Sequence, residues 1–153
     1  MKKILFAASE AVPFMKTGGL ADVTGSLPKY FDKKNYDVRV ILPKYVCMEE
    51  RWKGQLHFLC HFYVNLSWRK QYVGIFETTY DGITYYLVDN EFYFAGNAPY
   101  NNIYEDVEKF AFFSKAVLEA LPYLDFCPDI IHCHDWQTGL LPVFLRTLYG
   151  DEE

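Results

Sequence analysis

The residues best suited to chemistry are Lys16-Thr17-Gly18-Gly19-Leu20, where an ammonium is followed at once by two glycines. They lie just after a short apolar run, Lys3 to Ala8, and at the opening of a helical pattern that begins near Gly18. A helix start leaves backbone N–H groups without intrahelical partners and carries a partial positive charge, so a glycine pair there lets an anion approach the bare backbone. Lys16 adds a full charge. Two readings stand on these residues alone: a phosphate or carboxylate site, or a solvated lysine ahead of a plain turn. Asp22, in the first turn of the same helix, either favours the helix dipole or meets the ligand.

Two familiar phosphate-binding patterns are excluded. Gly-x-Gly-x-x-Gly is absent, and the second strand ends in Pro43-Lys44 rather than in an acid that would bind a ribose. In a Walker loop the lysine follows the glycines, whereas Lys16 precedes them. A second cluster, His132-Cys133-His134-Asp135, has metal-ligand residue types, because side chains two apart on a strand share a face. It matches only the first half of the His-x-His-x-Asp-His pattern of metallo-β-lactamases, since Trp136 and Gln137 stand where Asp and His would be needed. Histidines packed in a strand, with Asp135 capping the next helix, are the simpler arrangement, and no metal is expected. Gly-x-Ser-x-Gly does not occur, so there is no serine-hydrolase signature.

These residues need elements to position them. Lys3 to Ala8 reads as a strand covered on both faces of a parallel sheet. Leu20, Val23, Leu27 and Phe31 continue at near-helical spacing, with Pro28 bending or ending the helix. Asp37 to Leu42 is the second parallel strand, which completes a βαβ unit. His57 to Leu66, Tyr72 to Tyr80 and Ile83 to Val88 read as a β-rich excursion whose hairpin turns at Asp81-Gly82, and Asp89 to Asn102 reads as a loop. Val107, Phe110, Ala111, Ser114, Val117, Leu118 and Leu121 trace a helix face that ends at Pro122. Asp129 to His134 is a third buried parallel strand, followed by a helix from Thr138 or Gly139 to about Tyr149. The class is α/β, a Rossmann-like parallel sheet with helices on both faces and a β-hairpin insertion. Ligands of such sheets bind beyond the carboxyl ends of the strands, so the Ser9 to Gly19 loop and Asp135-Trp136-Gln137 should converge on one rim. A doubly wound sheet normally has about five or six strands, so the domain reads as cut short.

Composition narrows the function classes. With 153 residues and 51% hydrophobic content, the chain makes one globular domain. Its net charge of −5, with scattered Lys and Arg, excludes the basic stripe of a nucleic-acid binder. No apolar run approaches the roughly 18 residues of a membrane span, and the N-terminal one is too short for a signal peptide. Cys47, Cys60, Cys127 and Cys133 form no Cys-x-x-Cys pair, which suits buried free thiols in a reducing cytoplasm. The 19% aromatic content fits either a packed core or sugar-stacking surfaces.

Taken together, these motifs resemble the N-terminal part of bacterial glycogen synthases and plant starch synthases, the ADP-glucose-dependent members of glycosyltransferase family 5. The resemblance rests on Ser9-Glu10, Pro13, Lys16-Thr17-Gly18-Gly19-Leu20-Ala21-Asp22-Val23, Gly25 and Leu27-Pro28. Val38-Arg39-Val40 to Leu42-Pro43, Pro99-Tyr100, and His132-Cys133-His134-Asp135-Trp136 with Gly139-Leu140 add to it. It implies a GT-B architecture of two Rossmann-like domains with the active site between them. Residues 1–153 would be an incomplete N-terminal domain, with the nucleotide-binding C-terminal domain and the family's next strand lying beyond Glu153. The implied reaction is transfer of glucose from ADP-glucose to the non-reducing end of an α-1,4-glucan, with retention and without metal or other cofactor. By position, Lys16 would contact the donor phosphates and the Gly18 and Gly19 backbone would approach them. Asp22, Tyr100 and Asp135 would belong to the donor and glucose pocket. The implied partners are ADP-glucose, a glycogen or starch acceptor and the chain's own C-terminal domain. Val107 and Lys109 depart from the Asn and Arg usual in the family, and Gln137 stands where some members have His. The alternatives are a carbohydrate-binding or regulatory module without catalysis, or a transferase using another nucleotide sugar.

Overall fold

The computed structural model of the chain describes residues 1–150; residues 151–153 lie outside the described part. Strand β1 (Lys2–Ala7) is completely covered toward its carboxyl end, because its two faces serve two different cores. Leu5 and Ala7 point into one core and Ile4 and Phe6 into the other, so a strand buried on both sides carries no polar alternation. β2 (Tyr36–Pro43) pairs with it in parallel, with Ile4 opposite Val38 and Phe6 opposite Val40. Between them run α1 (Gly19–Ser26) and a short 3-10 turn, Leu27–Tyr30, where Pro28 ends the α-helical hydrogen bonding as expected.

The rest of the sheet is β3 (His57–Leu66), β4 (Arg69–Tyr80), β5 (Ile83–Asp89) and β6 (Ile130–Cys133), in the spatial order β3-β4-β5-β2-β1-β6. The hairpin turn falls at Asp81-Gly82, both with positive φ (53° and 77°), as the right-handed twist of the two strands requires. One expectation needs correction. Ile83–Asp89 does not stay apart from the parallel strands: it pairs in parallel with β2, Val40 opposite Tyr85 and Leu42 opposite Leu87, and is a fourth parallel strand. Its Tyr85 and Leu87 enter one core while Tyr86 and Val88 enter the other. Only β3 and β4, reached by antiparallel pairing, extend the sheet outward.

Helices lie on both faces. α3 (Ile103–Ala120) and α4 (Leu140–Leu148) cover one, where Phe110, Phe113, Val117 and Leu141 join Leu5, Ile41 and Val88. Ala11, Phe14 and Met48, with Phe31 and Trp52 from the region of the 3-10 turn and α2 (Glu50–Lys53), cover the other. The N-cap of α3 is Asn102, whose side-chain oxygen accepts from the Glu105 N–H at 3.2 Å. Three further expectations change. Val107 points to solvent, while Asp106 and Lys109 are buried in its stead as an ion pair. Among the described residues β6 is the edge strand of the sheet, with Ile130 exposed, rather than a strand covered on both faces. The four free thiols are half-buried, except for Cys127, which is exposed.

The cis Val12–Pro13 segment runs against α1 at Gly25. A Cβ at Gly25 would lie 2.4 Å from the Val12 Cγ2 and 2.6 Å from its carbonyl oxygen. Gly25→Ala should therefore destabilise the fold by more than about 2 kcal/mol, although alanine is the better helix former by about 1 kcal/mol. Denaturant unfolding measures it, and an unchanged midpoint would show that the contact is slack.

Candidate functional site

β1 and β6 are neighbours, with Ala7 opposite Cys133, and the His134 N–H donates to the Ala7 carbonyl at 3.0 Å. The loop after β1 and the corner at Asp135 therefore leave the same end of adjacent parallel strands, the end at which open α/β sheets bind ligands. The first loop is folded on itself: Phe14 and Met15 donate to the Ala11 carbonyl, and Val12 donates to the Ala21 carbonyl of α1.

Lys16 and Asp22 form an ion pair in which the ammonium reaches both carboxylate oxygens, at 2.8 and 2.9 Å. Both side chains are about half exposed, so the pair is worth roughly 0–1 kcal/mol and exchanges readily for a stronger anion. Gly18 is the N-cap of α1 and no side chain caps that helix. Its backbone is extended (φ −160°) and a Cβ on Gly18 or Gly19 would meet nothing within 4 Å. The fold itself has no use for glycine there, in contrast to Gly25.

Tyr100 reaches the same loop. Its hydroxyl shares a 2.7 Å hydrogen bond with the Ser9 hydroxyl, and Tyr45 donates to the Ser9 carbonyl at 2.6 Å. Burial above all, with the Glu10 carboxylate adding to it, pushes the Tyr100 hydroxyl up to about 12, so it keeps its proton at neutral pH. Asp135 is exposed, adopts a positive φ of 65°, and accepts from the Trp136 N–H at 2.7 Å as the cap of the 3-10 turn Trp136–Thr138. Phe110 packs against both Tyr100 (centroids 5.9 Å apart) and Trp136 (5.5 Å), which ties the Tyr100 loop to the Asp135 corner. The structure thus joins Lys16 to Asp22 directly, Tyr100 to the loop before them, and Asp135 to the adjacent strand end.

Three residues to which the sequence reading gave no role, Glu10, Asp106 and Lys109, help to frame the site. Glu10 is 2% exposed, and one of its oxygens accepts from both the Thr17 N–H (3.0 Å) and the Thr17 hydroxyl (2.6 Å). Lys109 donates to the Pro99 carbonyl at 2.8 Å and pairs with Asp106 at 3.2 Å. Asp106 in turn accepts from the Asn101 N–H, so this buried pair clamps Pro99-Tyr100-Asn101 from both sides. Acid and base three apart on a helix were the available signal, but the hydrophobic pattern pointed at Val107 instead. His132 and His134 pack on the Phe6 ring, each with centroids 4.9 Å from it. Among the described residues no three His, Cys, Asp or Glu side chains converge as metal ligands, and no helix is long and apolar enough to cross a membrane.

A cation beside an uncapped helix mouth, with carboxylates and a protonated tyrosine on the same rim, suits a ligand that is anionic at one end and rich in hydroxyls at the other. In comparison with known proteins, residues 3–153 match the model of the starch synthase catalytic domain, and the chain belongs to that family. It is 67% identical over its whole length to a glycogen synthase of Lachnoclostridium phytofermentans and 61% identical to one of Lachnospira eligens. It spans about a third of their length, 32% in each case. Among solved structures it matches the catalytic domain of starch synthase IV from Arabidopsis thaliana, bound to ADP and acarbose. The TM-score is 0.83 at 30% identity, covering 97% of this chain and 31% of that one.

His134 gives the rim a pH signature. Burial, with the charge of His132 adding to it, pulls its pKa down to about 4, against roughly 6.5 in an unfolded chain. Between those values the unfolded state binds more protons, so stability falls as pH drops from about 6.5 toward about 4. His134→Gln should flatten that limb, as read from denaturation midpoints across the range; an unchanged slope would assign it to other groups.

Proposed function

We propose that the chain is the donor-phosphate wall of a cytoplasmic glycogen synthase. The complete protein would transfer glucose from ADP-glucose to the non-reducing end of an α-1,4-glucan, with retention and without a metal. In this reading residues 1–153 belong to the N-terminal Rossmann-like domain of a GT-B enzyme, and the nucleotide-binding domain supplies the facing wall. The chain by itself would then be inactive. The observation that carries the reading is the uncapped start of α1, where Gly18 and Gly19 face open space beside Lys16. The named relatives and the ADP-bound starch synthase support the choice of nucleotide and acceptor.

The chemistry follows from charge. As the bond between glucose C1 and the diphosphate oxygen breaks, negative charge grows on the departing ADP and positive charge on the sugar ring. Lys16 and the backbone N–H groups at Gly18 and Gly19 meet the growing negative charge, so they bind the transition state more tightly than the ground state. Lys16 must leave Asp22 to do so, which frees the Asp22 carboxylate to accept from hydroxyls of the donor. Asp135 and Tyr100 lie on the glucose side, and neither carboxylate is assigned as a nucleophile.

In the full-length protein, Lys16→Gln should lower kcat/KM for ADP-glucose by about 10²-fold or more, while the melting temperature stays within about 2 °C because only an exposed pair is lost. Equal losses of stability and activity would make Lys16 structural. Wild-type protein that releases no ADP from ADP-glucose with a glycogen primer would overturn the function itself. Gly18→Ala and Gly19→Ala should leave stability within about 1 kcal/mol yet weaken ADP binding at least about tenfold by titration, because the new methyl fills the approach to the backbone. Tight ADP binding by both variants would move the phosphate elsewhere.

A further inference from the structure

Glu10 is a buried carboxylate to which the chemistry above gives no task. Its carbonyl accepts from the Thr24 hydroxyl of α1 at 2.6 Å, and its side chain reaches forward to Thr17, the residue immediately before the N-cap of the same helix. Glu10 therefore spans the loop and fastens the segment that carries Lys16 and Gly18 to the helix that follows it. A carboxylate at the start of a helix usually caps the free N–H groups there. This one is taken up one residue earlier, by the Thr17 N–H and hydroxyl, and the start of α1 is left without a side-chain cap.

We propose that Glu10 is a positioning residue for the donor diphosphate: by gripping Thr17 it holds Lys16, Gly18 and Gly19 in the shape that receives the phosphates, without itself capping the helix that begins there. The inference rests on the site reading given above. One oxygen that accepts from both the N–H and the hydroxyl of Thr17 fixes the backbone and the side chain of that residue together. A misplacement of about 1 Å at a transition-state contact costs on the order of 10²-fold in rate, so the grip matters more for catalysis than for folding.

The test is steady-state kinetics and ADP titration on the full-length enzyme with Glu10→Gln, Glu10→Ala, Thr17→Val and the Glu10→Ala/Thr17→Val pair. Glu10→Gln keeps a carbonyl oxygen that accepts from both Thr17 groups and should stay within about threefold of wild type. Thr17→Val removes the hydroxyl bond alone and should raise the ADP dissociation constant and lower kcat/KM for ADP-glucose by about tenfold. The half-saturating glycogen concentration should stay within about twofold. Glu10→Ala should do at least as much as Thr17→Val, and the double variant should be no worse than Glu10→Ala, because both remove one interaction. If Glu10→Ala does not fold, the Thr17→Val and Glu10→Gln arms decide the matter. Variants with lowered melting temperature but unchanged ADP affinity would overturn the proposal and leave Glu10 a stabilising residue; so would additive losses in the double variant. Wild-type enzyme that turns over no ADP-glucose would overturn the site reading on which the inference stands.

Discussion

The parallel pairing of β1 with β2 on one side and β6 on the other is the constraint on which the molecule depends. A strand in that position has no solvent face, so Leu5 and Ala7 must satisfy one core while Ile4 and Phe6 satisfy the other. Parallel neighbours also end together. Every loop that follows them emerges on one rim, and two segments more than a hundred residues apart in sequence become adjacent there, as the His134 N–H on the Ala7 carbonyl shows. The architecture thus determines where the chemistry can be before any side chain on the rim is chosen.

On that rim the division of labour runs between buried and exposed charge. Glu10, and Asp106 with Lys109, are buried and bonded to backbone atoms, so each holds a loop in one shape. Removing one member of the Asp106–Lys109 pair would leave the other charge buried and uncompensated, which makes that anchor stiff. Lys16 and Asp22 are exposed and bonded only to each other, and their pairing is weak enough to be exchanged. A rigid frame carrying a replaceable counter-ion is what a site needs if it is to admit a diphosphate without rebuilding its loop.

Much of this was legible in the chain. Continuous apolar runs revealed β1 and β2, Asp81-Gly82 revealed the hairpin, and the spacing from Phe110 to Leu118 revealed α3. The signal at Lys16-Gly18-Gly19 was legible for the same reason: helix starts have a local chemistry. β5 was misplaced because pairing partners are a long-range property, and a run such as Ile-Thr-Tyr-Tyr-Leu-Val reads equally well as part of an antiparallel excursion or as a parallel neighbour of β2. Val107 was misread because periodicity assigns a face from hydrophobicity alone, and here a buried ion pair occupies the inward positions.

By itself, then, the sequence determined the element types, the helix mouth with its lysine and the family, since each depends on neighbours within a few residues or on motifs in order. Tertiary structure alone decided that Ile83–Asp89 is a parallel strand, that Lys16 rests on Asp22, that Tyr100 reaches Ser9, and that Glu10 grips Thr17. Those contacts depend on how loops close over strand ends. The free energy of closing them comes from burial across the whole sheet, which no local pattern records.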